Sequence, residues 1–447
     1  MNIALSSIRQ CLDGGVPAAI ATCSTDGSPN VSYVSEVHFV DSQHVALSYQ
    51  FFNKTRTNIL DNPTAEALVI DPESGNQFRL FLHYMRTETT GPIFESMRVK
   101  LAGIAAHTGM ASVFRLLGSD VYQVIDIELV GDERNDTLPG PVNRLPELRR
   151  CSEILSGCRD LESLLKALLA GLETELSIPH SILFLHDEAG KKLYLIGSNG
   201  YSTSGIGSEI PLGLGIVGLC AVERTPIRLT HIAEEFRYSS AIRDSAIESG
   251  IPVEIETTIP MPGLDEPGSQ LAVPVVAGDQ LLGVLFVEST LDGAFSYDAE
   301  DILVTVANHF ATAMIILDRG RSPVESISPA RNMSLTRRRP LRVRYFSSNA
   351  SIFLGDDYLI KGVAASILWK LLREYTQSGR NQFTNREIRL DPDIVLPAIS
   401  ENLEARLVLL KRRLQERSND IAIVAVSRGK FRLDVSRPLS LETVDPA

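Results

Sequence analysis

Cysteine is scarce in this chain: five in 447 residues, an odd number, which argues against a disulfide framework and leaves reduced thiols as the expected state. Neither a CxxC pair nor an HxxxH spacing occurs among the five cysteines and eight histidines, so no zinc site or metal cluster is expected. Long hydrophobic runs are missing as well. No segment has eighteen consecutive apolar residues, and the opening MNIALSSIRQCLDGG lacks a basic stretch followed by an apolar one. Those absences argue against a membrane span and a secretion signal, and make the cytoplasm the expected location. Tryptophan occurs once, at Trp369, and internal repeats are lacking.

What is present is an ordinary globular composition, 44% hydrophobic and 22% charged. The chain is too long for one core, and its length predicts roughly three domains. Two polar, proline-containing stretches, GDERNDTLPGPVNRLP (Gly131 to Pro146) and RGRSPVESISPARNMSLTRRRP (Arg319 to Pro340), place boundaries near residues 140 and 325. Charge divides the same way. Residues 331–447 hold 21 Lys and Arg against 13 Asp and Glu, a net of +8, so the total of −12 leaves −20 for residues 1–330. An acidic body with a basic end fits a nucleic-acid contact confined to that end, or simply a solvated basic surface.

The first segment alternates short β-type runs with turns: AAIATC, NVSYVSEVHFV, HVALSYQ, EALVID, FRLFLHYM and, after two helices, VYQVIDIELV. This pattern predicts a small barrel with helical inserts. Its chemistry is concentrated in SYQFFNKTRTNILDNP (Ser48 to Pro63), where a strand gives way to a helix with Asn53 as N-cap and Lys54, Thr55 and Asn58 on the first turns. Free N–H groups and the positive dipole end at such a terminus, joined by a Lys and a hydroxyl, make a phosphate cradle. A phosphate-bearing cofactor is the expected guest, and a plain capped surface helix is the alternative.

The order TDGSPNVSYVS, HVALSYQFFNKTRTNILDNP, GPIFESM, HTGMASVFRL resembles the pyridoxamine-phosphate oxidase-like FMN-binding split barrels, over roughly residues 10–130. The resemblance implies FMN, its phosphate held by Lys54 and Thr55, with Val31 to Ser35 and Ser48 beside the flavin and Asn58 as a further contact. It also implies a homodimer with flavin at the subunit interface, and it leaves haem or another flavin-like ligand as alternative occupants. The substrate segment of true pyridoxamine-phosphate oxidases, with a Trp and an Arg-x-His motif, has no counterpart, because the only Trp lies far outside this region. Vitamin oxidation is therefore not expected. An FMN-dependent oxidoreductase with regulatory domains remains the alternative function, with Arg79, His83, Arg86 and His107 as polar candidates that no spacing connects.

The middle segment opens with what reads as one amphipathic helix, in which Leu148, Leu155, Leu161, Leu165, Leu168, Leu172 and Leu176 recur near helical spacing. Strands SILFLHD, KLYLIGS, LAVPVVAG and LLGVLFVES follow, and a helix from about Tyr297 to Asp318 closes it. The run IPLGLGIVGLCAVERTPIRLTHIAEEFRYS, then GSQLAVPVVAGDQLLGVLFVESTLDGAFSYDAEDILVTVANHFATAMI, resembles a GAF domain over roughly residues 145–320. The resemblance implies a small-molecule effector between the sheet and its covering segment. Phe236, Arg237, Tyr238 and Ser239 are the pocket candidates, with Glu256 and Glu288 near strand ends. Glu288 would otherwise pair with a basic residue, and Phe236 and Tyr238 would otherwise be core. Cys151 and Cys158 on the opening helix and Cys220 on another read as small core residues. The two flanking helices carry more apolar surface than one small sheet needs, which in this family packs against a second copy.

In the last segment, a helix from about Ser400 to Arg417 sets Leu403, Leu407, Leu410 and Leu414 on one face. It is expected to leave Arg406, Arg413 and Arg417 exposed, with Lys411 and Arg412 nearby, and it also carries Glu401 and Glu404. IAIVAV-SRGK-FRLDV reads as a hairpin with Gly429 at the turn and Arg428 and Lys430 at the tip, where phosphates could be met. The order resembles the winged helix of response-regulator-type transcription factors from roughly Leu341 to Val435. That resemblance implies DNA binding by Arg406, Lys411, Arg413, Arg417, Arg428 and Lys430, with protein contact as the alternative.

The expected fold class is thus multidomain α+β: a split β-barrel over residues 1–135, a GAF α/β sandwich with an antiparallel sheet over 145–320, and a winged helix-turn-helix over 335–440. The expected function is a cytoplasmic, homodimeric transcriptional regulator that senses a ligand or a redox state, with no catalytic residue assigned.

Overall fold

The computed structural model describes residues 3–12, 18–34, 37–49, 53–71, 74–108, 116–130, 143–188, 190–229, 259–319, 339–391, 394, 403–427 and 429–444. Alternating burial along the amino-terminal strands builds one sheet from β1 (Ala18–Cys23), β2 (Pro29–Val34), β3 (Val37–Phe39), β4 (His44–Tyr49), β5 (Thr64–Ile70), β6 (Gln77–Glu88) and β7 (Gly118–Val130). Its seven strands run in the order β2-β1-β5-β6-β7-β4-β3, with every neighbouring pair antiparallel. On the buried face Ile20, Ala67, Val69, Phe78, Leu80, Leu82 and Tyr122 form the core, as period-2 patterning demands. Helix α1 (Asn53–Asp61) follows β4, and α2 (Pro92–Thr108) leads back to β7.

In the middle unit, the single opening helix expected from the leucine spacing is two: α3 (Leu145–Ser156) and α4 (Leu161–Leu176). The break has a local cause. Asp160 accepts from the Ser163 backbone N–H at 2.7 Å while the Ser163 hydroxyl meets the Asp160 N–H, a capping box that starts a new helix. Cys158 therefore lies between helices, whereas Cys151 is buried on α3. The sheet comprises β8 (His180–Asp187), β9 (Lys192–Asn199), β10 (Glu209–Pro211), β11 (Ile227–Leu229), β12 (Ser269–Ala277) and β13 (Gln280–Ser289), in the order β10-β9-β8-β13-β12-β11. β12 and β13 are adjacent and almost wholly buried, consistent with their unbroken apolar runs. Gly213 and Gly215 adopt φ of +81° and +61° at the entry to α5 (Gly215–Glu223), a region that favours glycine. The closing helix α6 (Tyr297–Arg319) is long and apolar enough to cross a membrane by length and composition, yet its Leu303, Val306, Ala307, Phe310 and Ala311 belong to the core.

The carboxy-terminal unit begins with β14 (Leu341–Phe346), β15 (Ser351–Leu354) and β16 (Asp357–Lys361). It continues through α7 (Val363–Ser378), β17 (Gln382–Thr384), α8 (Asn385–Leu390), α9 (Leu403–Arg417), β18 (Ile421–Ser427) and β19 (Lys430–Val435). β18 and β19 form the expected hairpin, with Gly429 at φ +71°, and β17 adds a third strand against β19. A last strand, β20 (Leu439–Val444), pairs in parallel with β14 and ties residues 439–444 to the start of the unit.

The middle unit touches both neighbours. Toward the amino-terminal unit, α2 packs on α5 and β11, and Arg98 pairs with Glu223. There the Tyr297 ring is faced by Arg228 at 4.1 Å, Arg9 at 4.4 Å and Lys100 at 5.3 Å. Arg228 also binds Glu300 at 2.8 Å, and Arg9 binds Asp301 at 2.9 Å. Burial, followed by Lys100, Arg228 and Arg9, holds His38 well below its ordinary value, so it meets Lys100 as a neutral acceptor at 3.3 Å.

Gly283 lets β13 approach β8, since a Cβ there would be driven into the backbone carbonyl of Phe184. Gly283→Ala is expected to cost about 3 kcal/mol or more in denaturant unfolding. Gly171→Ala, whose Cβ would sit 3.9 Å from Cys151 Sγ inside α4, should be neutral or stabilising by up to about 1 kcal/mol.

Candidate functional site

Helix α1 aims successive side chains in different directions. Thr55 is buried, and its hydroxyl accepts from Asn30 Nδ2 at 2.8 Å and lies 3.1 Å from Ser32 Oγ on β2. Lys54 stays exposed at the same helix start. Arg56 turns the other way, pairing with Asp120, donating to Thr87 Oγ1 at 2.6 Å and lying 4.8 Å from the Tyr49 ring. Burial pushes the Asp120 carboxyl up, against the opposing pull of Thr87 and Arg56. Asn58 is buried and donates to Thr22 Oγ1 at 3.1 Å, which makes it a helix-to-sheet tie. Ser48 lies in β4 opposite Ser119, and both hydroxyls are buried without a hydrogen-bond partner among the described residues. Ser35 lies outside the described residues.

The structure therefore brings together Thr55, Asn30 and Ser32, with Lys54 beside Thr55 in the chain at the same helix start, residue types that suit a phosphate. Asn30 was missed in the sequence, although strand alternation puts it on one face of β2 with Ser32, which lies in the stretch Val31 to Ser35 that the resemblance sets beside the flavin. Arg79 lies 3.8 Å from Glu66 and 3.9 Å from Glu128, while Arg86 binds Glu88 at 2.7 Å, so these cations are engaged with carboxylates along the strands rather than gathered at one site.

The expectation for α9 needs correction. Arg406 and Arg413 are not on exposed faces; they are 5% and 3% exposed, and of the three arginines only Arg417 remains in solvent. The reason is that two sides of the helix are covered. Its leucines pack within the carboxy-terminal unit, where Arg413 Nε donates to the Leu359 carbonyl at 2.8 Å. Its other side lies on the middle unit. There Arg406 sits 3.1 Å from the Asp187 carboxylate and 4.1 Å from the Tyr194 ring. Arg412 donates to the Ile196 carbonyl at 2.7 Å, and Lys411 to Glu162 at 2.6 Å. Burial lowers the Arg412 guanidinium below its ordinary value, Glu162 and Glu416 opposing it. Against burial, Lys411 and Lys166 hold the Glu162 carboxyl down. Lys430 is exposed at the hairpin tip, and Arg428 lies outside the described residues.

Of the proposed effector contacts, Phe236, Arg237, Tyr238, Ser239 and Glu256 also lie outside the described residues. Glu288 is described, and is 2% exposed. It stands in one row with Gln270 on β12 and His180 on β8. The carboxylate accepts from the Leu264 backbone N–H at 2.8 Å and from Gln270 Nε2 at 3.1 Å. Neutral donors thus make its hydrogen bonds, while the basic partner that was the alternative expectation stands beside it as His180, whose charge acts on the same carboxylate. Tyr201 faces the same carboxylate and packs on His180 with ring centroids 5.6 Å apart. Burial pushes Glu288 up; Leu264, Tyr201 and Gln270 pull it back, yet the net direction is upward. Burial, then Glu288, likewise raises the Tyr201 hydroxyl, which stays protonated.

A raised folded-state value means that the native protein binds this proton more tightly than the unfolded chain does. The ionised Glu288 therefore costs stability. That cost is absent below the ordinary glutamate value of about 4.3 and grows as pH rises through the window above it. The melting temperature of Glu288→Gln minus that of the unaltered chain should rise between about pH 4 and pH 7. A difference independent of pH would contradict this assignment.

Among solved structures, the GAF domain from an Acinetobacter phosphoenolpyruvate-protein phosphotransferase is 22% identical, with 40% of this chain and 96% of that chain covered and a TM-score of 0.31. A free methionine-R-sulfoxide reductase from Neisseria meningitidis, in complex with its substrate, is 16% identical over 40% of this chain and 92% of its own, with a TM-score of 0.30. An FMN-binding protein from Syntrophomonas wolfei subsp. wolfei is 14% identical over 28% of this chain and 86% of its own, with a TM-score of 0.25. No curated protein matches the chain. The family model for the GAF domain matches residues 158–314, and this central segment is a GAF domain.

Proposed function

We propose that the chain is a ligand-sensing transcriptional regulator in which the GAF domain controls whether α9 is free to meet DNA. The observation that carries this reading is the docking of α9 on the GAF domain, through Arg406 and Arg412 on the sheet and Lys411 on α4. The order α7, β17, α8, α9 and hairpin, with β17 joined to the hairpin, supports a winged helix with α9 as its recognition helix. Exposed Arg417 and Lys430 would meet phosphates. With Arg406 and Lys411 held by Asp187 and Glu162, the docked state is the weak DNA binder. A homodimer through the outer faces of α3 and α6, where Leu145 and Ile316 stay exposed, belongs to the same reading.

Removing the Asp187 charge takes from the buried Arg406 guanidinium the carboxylate it meets at 3.1 Å, a loss of up to about 3–5 kcal/mol in the docked state that undocking relieves. The affinity of the full chain for short duplex DNA, followed by fluorescence anisotropy, should rise several-fold in Asp187→Asn. It should fall again when Arg417→Glu and Lys430→Glu are added, and it should weaken steeply with salt. No salt-dependent binding by the Asp187→Asn chain would overturn the DNA reading.

We further propose that the amino-terminal unit binds FMN, with Lys54, Thr55, Asn30 and Ser32 holding its phosphate. The fit of those residues supports this, and bound flavin would supply a redox-responsive group to the sensor. In titrations of the full chain followed by flavin fluorescence, Lys54→Gln and Thr55→Ala should each weaken FMN by about tenfold, about 1.4 kcal/mol. A visible spectrum showing haem bands in the purified chain, or no binding of FMN, would overturn the flavin assignment.

A further inference from the structure

A cavity of about 300 Å³ lies in the seam between the GAF domain and the carboxy-terminal unit, lined by Lys192, Glu209, Pro211, Ile259, Tyr358 and Lys361. Lys192 opens β9 opposite Asp187, so the cavity sits at the end of the sheet away from Glu288, which pairs with His180 at the start of β8. Lys192 Nζ lies 2.8 Å from one oxygen of Glu209, and Lys361 Nζ lies 3.0 Å from the other. One carboxylate thus faces two ammonium groups, one from each unit, and these three described groups together carry a net charge of +1. Each ammonium has three donors, and a bond to Glu209 uses one of them. The rest of the lining is mainly apolar: Pro211, Ile259 and the Tyr358 ring, itself fixed edge-on against Phe353 at 5.4 Å. Burial and the nearby Glu209 push the Tyr358 hydroxyl up, against the opposing pull of Arg413, and the net direction is upward, so the phenol stays neutral.

A cavity near the lower end of ligand-pocket volumes, with apolar walls and a single excess positive charge, selects by size and by charge. We propose that it binds a small amphipathic monocarboxylate, whose head lies between Lys192 and Lys361 and whose apolar body rests on Pro211, Ile259 and Tyr358. A dianion such as inorganic phosphate would be left with one charge uncompensated and nothing to place against the apolar wall. Because the two lysines belong to different units, an occupant links them directly. This site stands independently of the DNA and flavin readings.

Benzoate is a suitable probe, with benzamide as its neutral counterpart, titrated calorimetrically into the full chain. Saturable benzoate binding is expected, with benzamide and inorganic phosphate both weaker. Lys361→Met should weaken benzoate at least fivefold. Glu209→Gln, which frees both ammonium groups from their internal partner, should tighten it several-fold. Opposite shifts from two changes in one cluster cannot both arise from misfolding. The proposal is overturned by any of three results: no saturable benzoate binding in either the unaltered or the Glu209→Gln chain, shifts of the same sign in the two variants, or phosphate or benzamide binding as tightly as benzoate.

Discussion

Arg406 carries its charge into a seam that water scarcely reaches: its side chain is 6% exposed and that of its partner, Asp187, is 9%. A cation in such a place persists only if it is paired, because the cost of desolvating it alone is several kcal/mol. Asp187 supplies the charge and the Tyr194 ring supplies a face. Asp187 Oδ1 also accepts from the Gly190 backbone N–H at 3.0 Å and so orders the turn between β8 and β9. One carboxylate at the end of a GAF strand therefore shapes its own hairpin and anchors the helix of another unit. Lys411, Arg412 and the seam cavity lie along the same junction.

A similar economy governs the opposite face. Tyr297 is the first residue of α6, and its ring gathers cations from the amino-terminal unit, Arg9 and Lys100, and from the GAF domain itself, Arg228. Carboxylates in the first turns of α6, Asp301 and Glu300, complete the charge balance. The GAF domain thus makes its two junctions with neighbours through charged groups buried or half-buried against aromatic rings. Such contacts are strongly directional, and close-packed interiors transmit displacements rather than absorb them.

Some of this was legible in the residues. The unbroken apolar runs of β12 and β13 marked buried neighbouring strands, and Gly429 between two β-type runs marked a hairpin. Lys54 and Thr55 stood out because a helix start after a strand has a known chemistry. The leucine periodicity across residues 148–176 was read as one helix because the spacing survives the break, whereas the Asp160–Ser163 capping box that creates the break is a polar signal within the same stretch. β20 was missed because a parallel partner some hundred residues away leaves no local trace.

The arginines of α9 mark the boundary between the two kinds of information. The sequence by itself determined that α9 is a helix, that its leucines share a face, and that basic residues surround that face, because these depend on the 3.6-residue period alone. It also determined that residues 158–314 carry a GAF pattern. Only the tertiary structure decided that Arg406 and Arg412 face the GAF domain rather than solvent. Periodicity assigns residues to faces of one helix, but which face meets another unit depends on charges and shapes more than two hundred residues distant, such as Asp187 and Glu162.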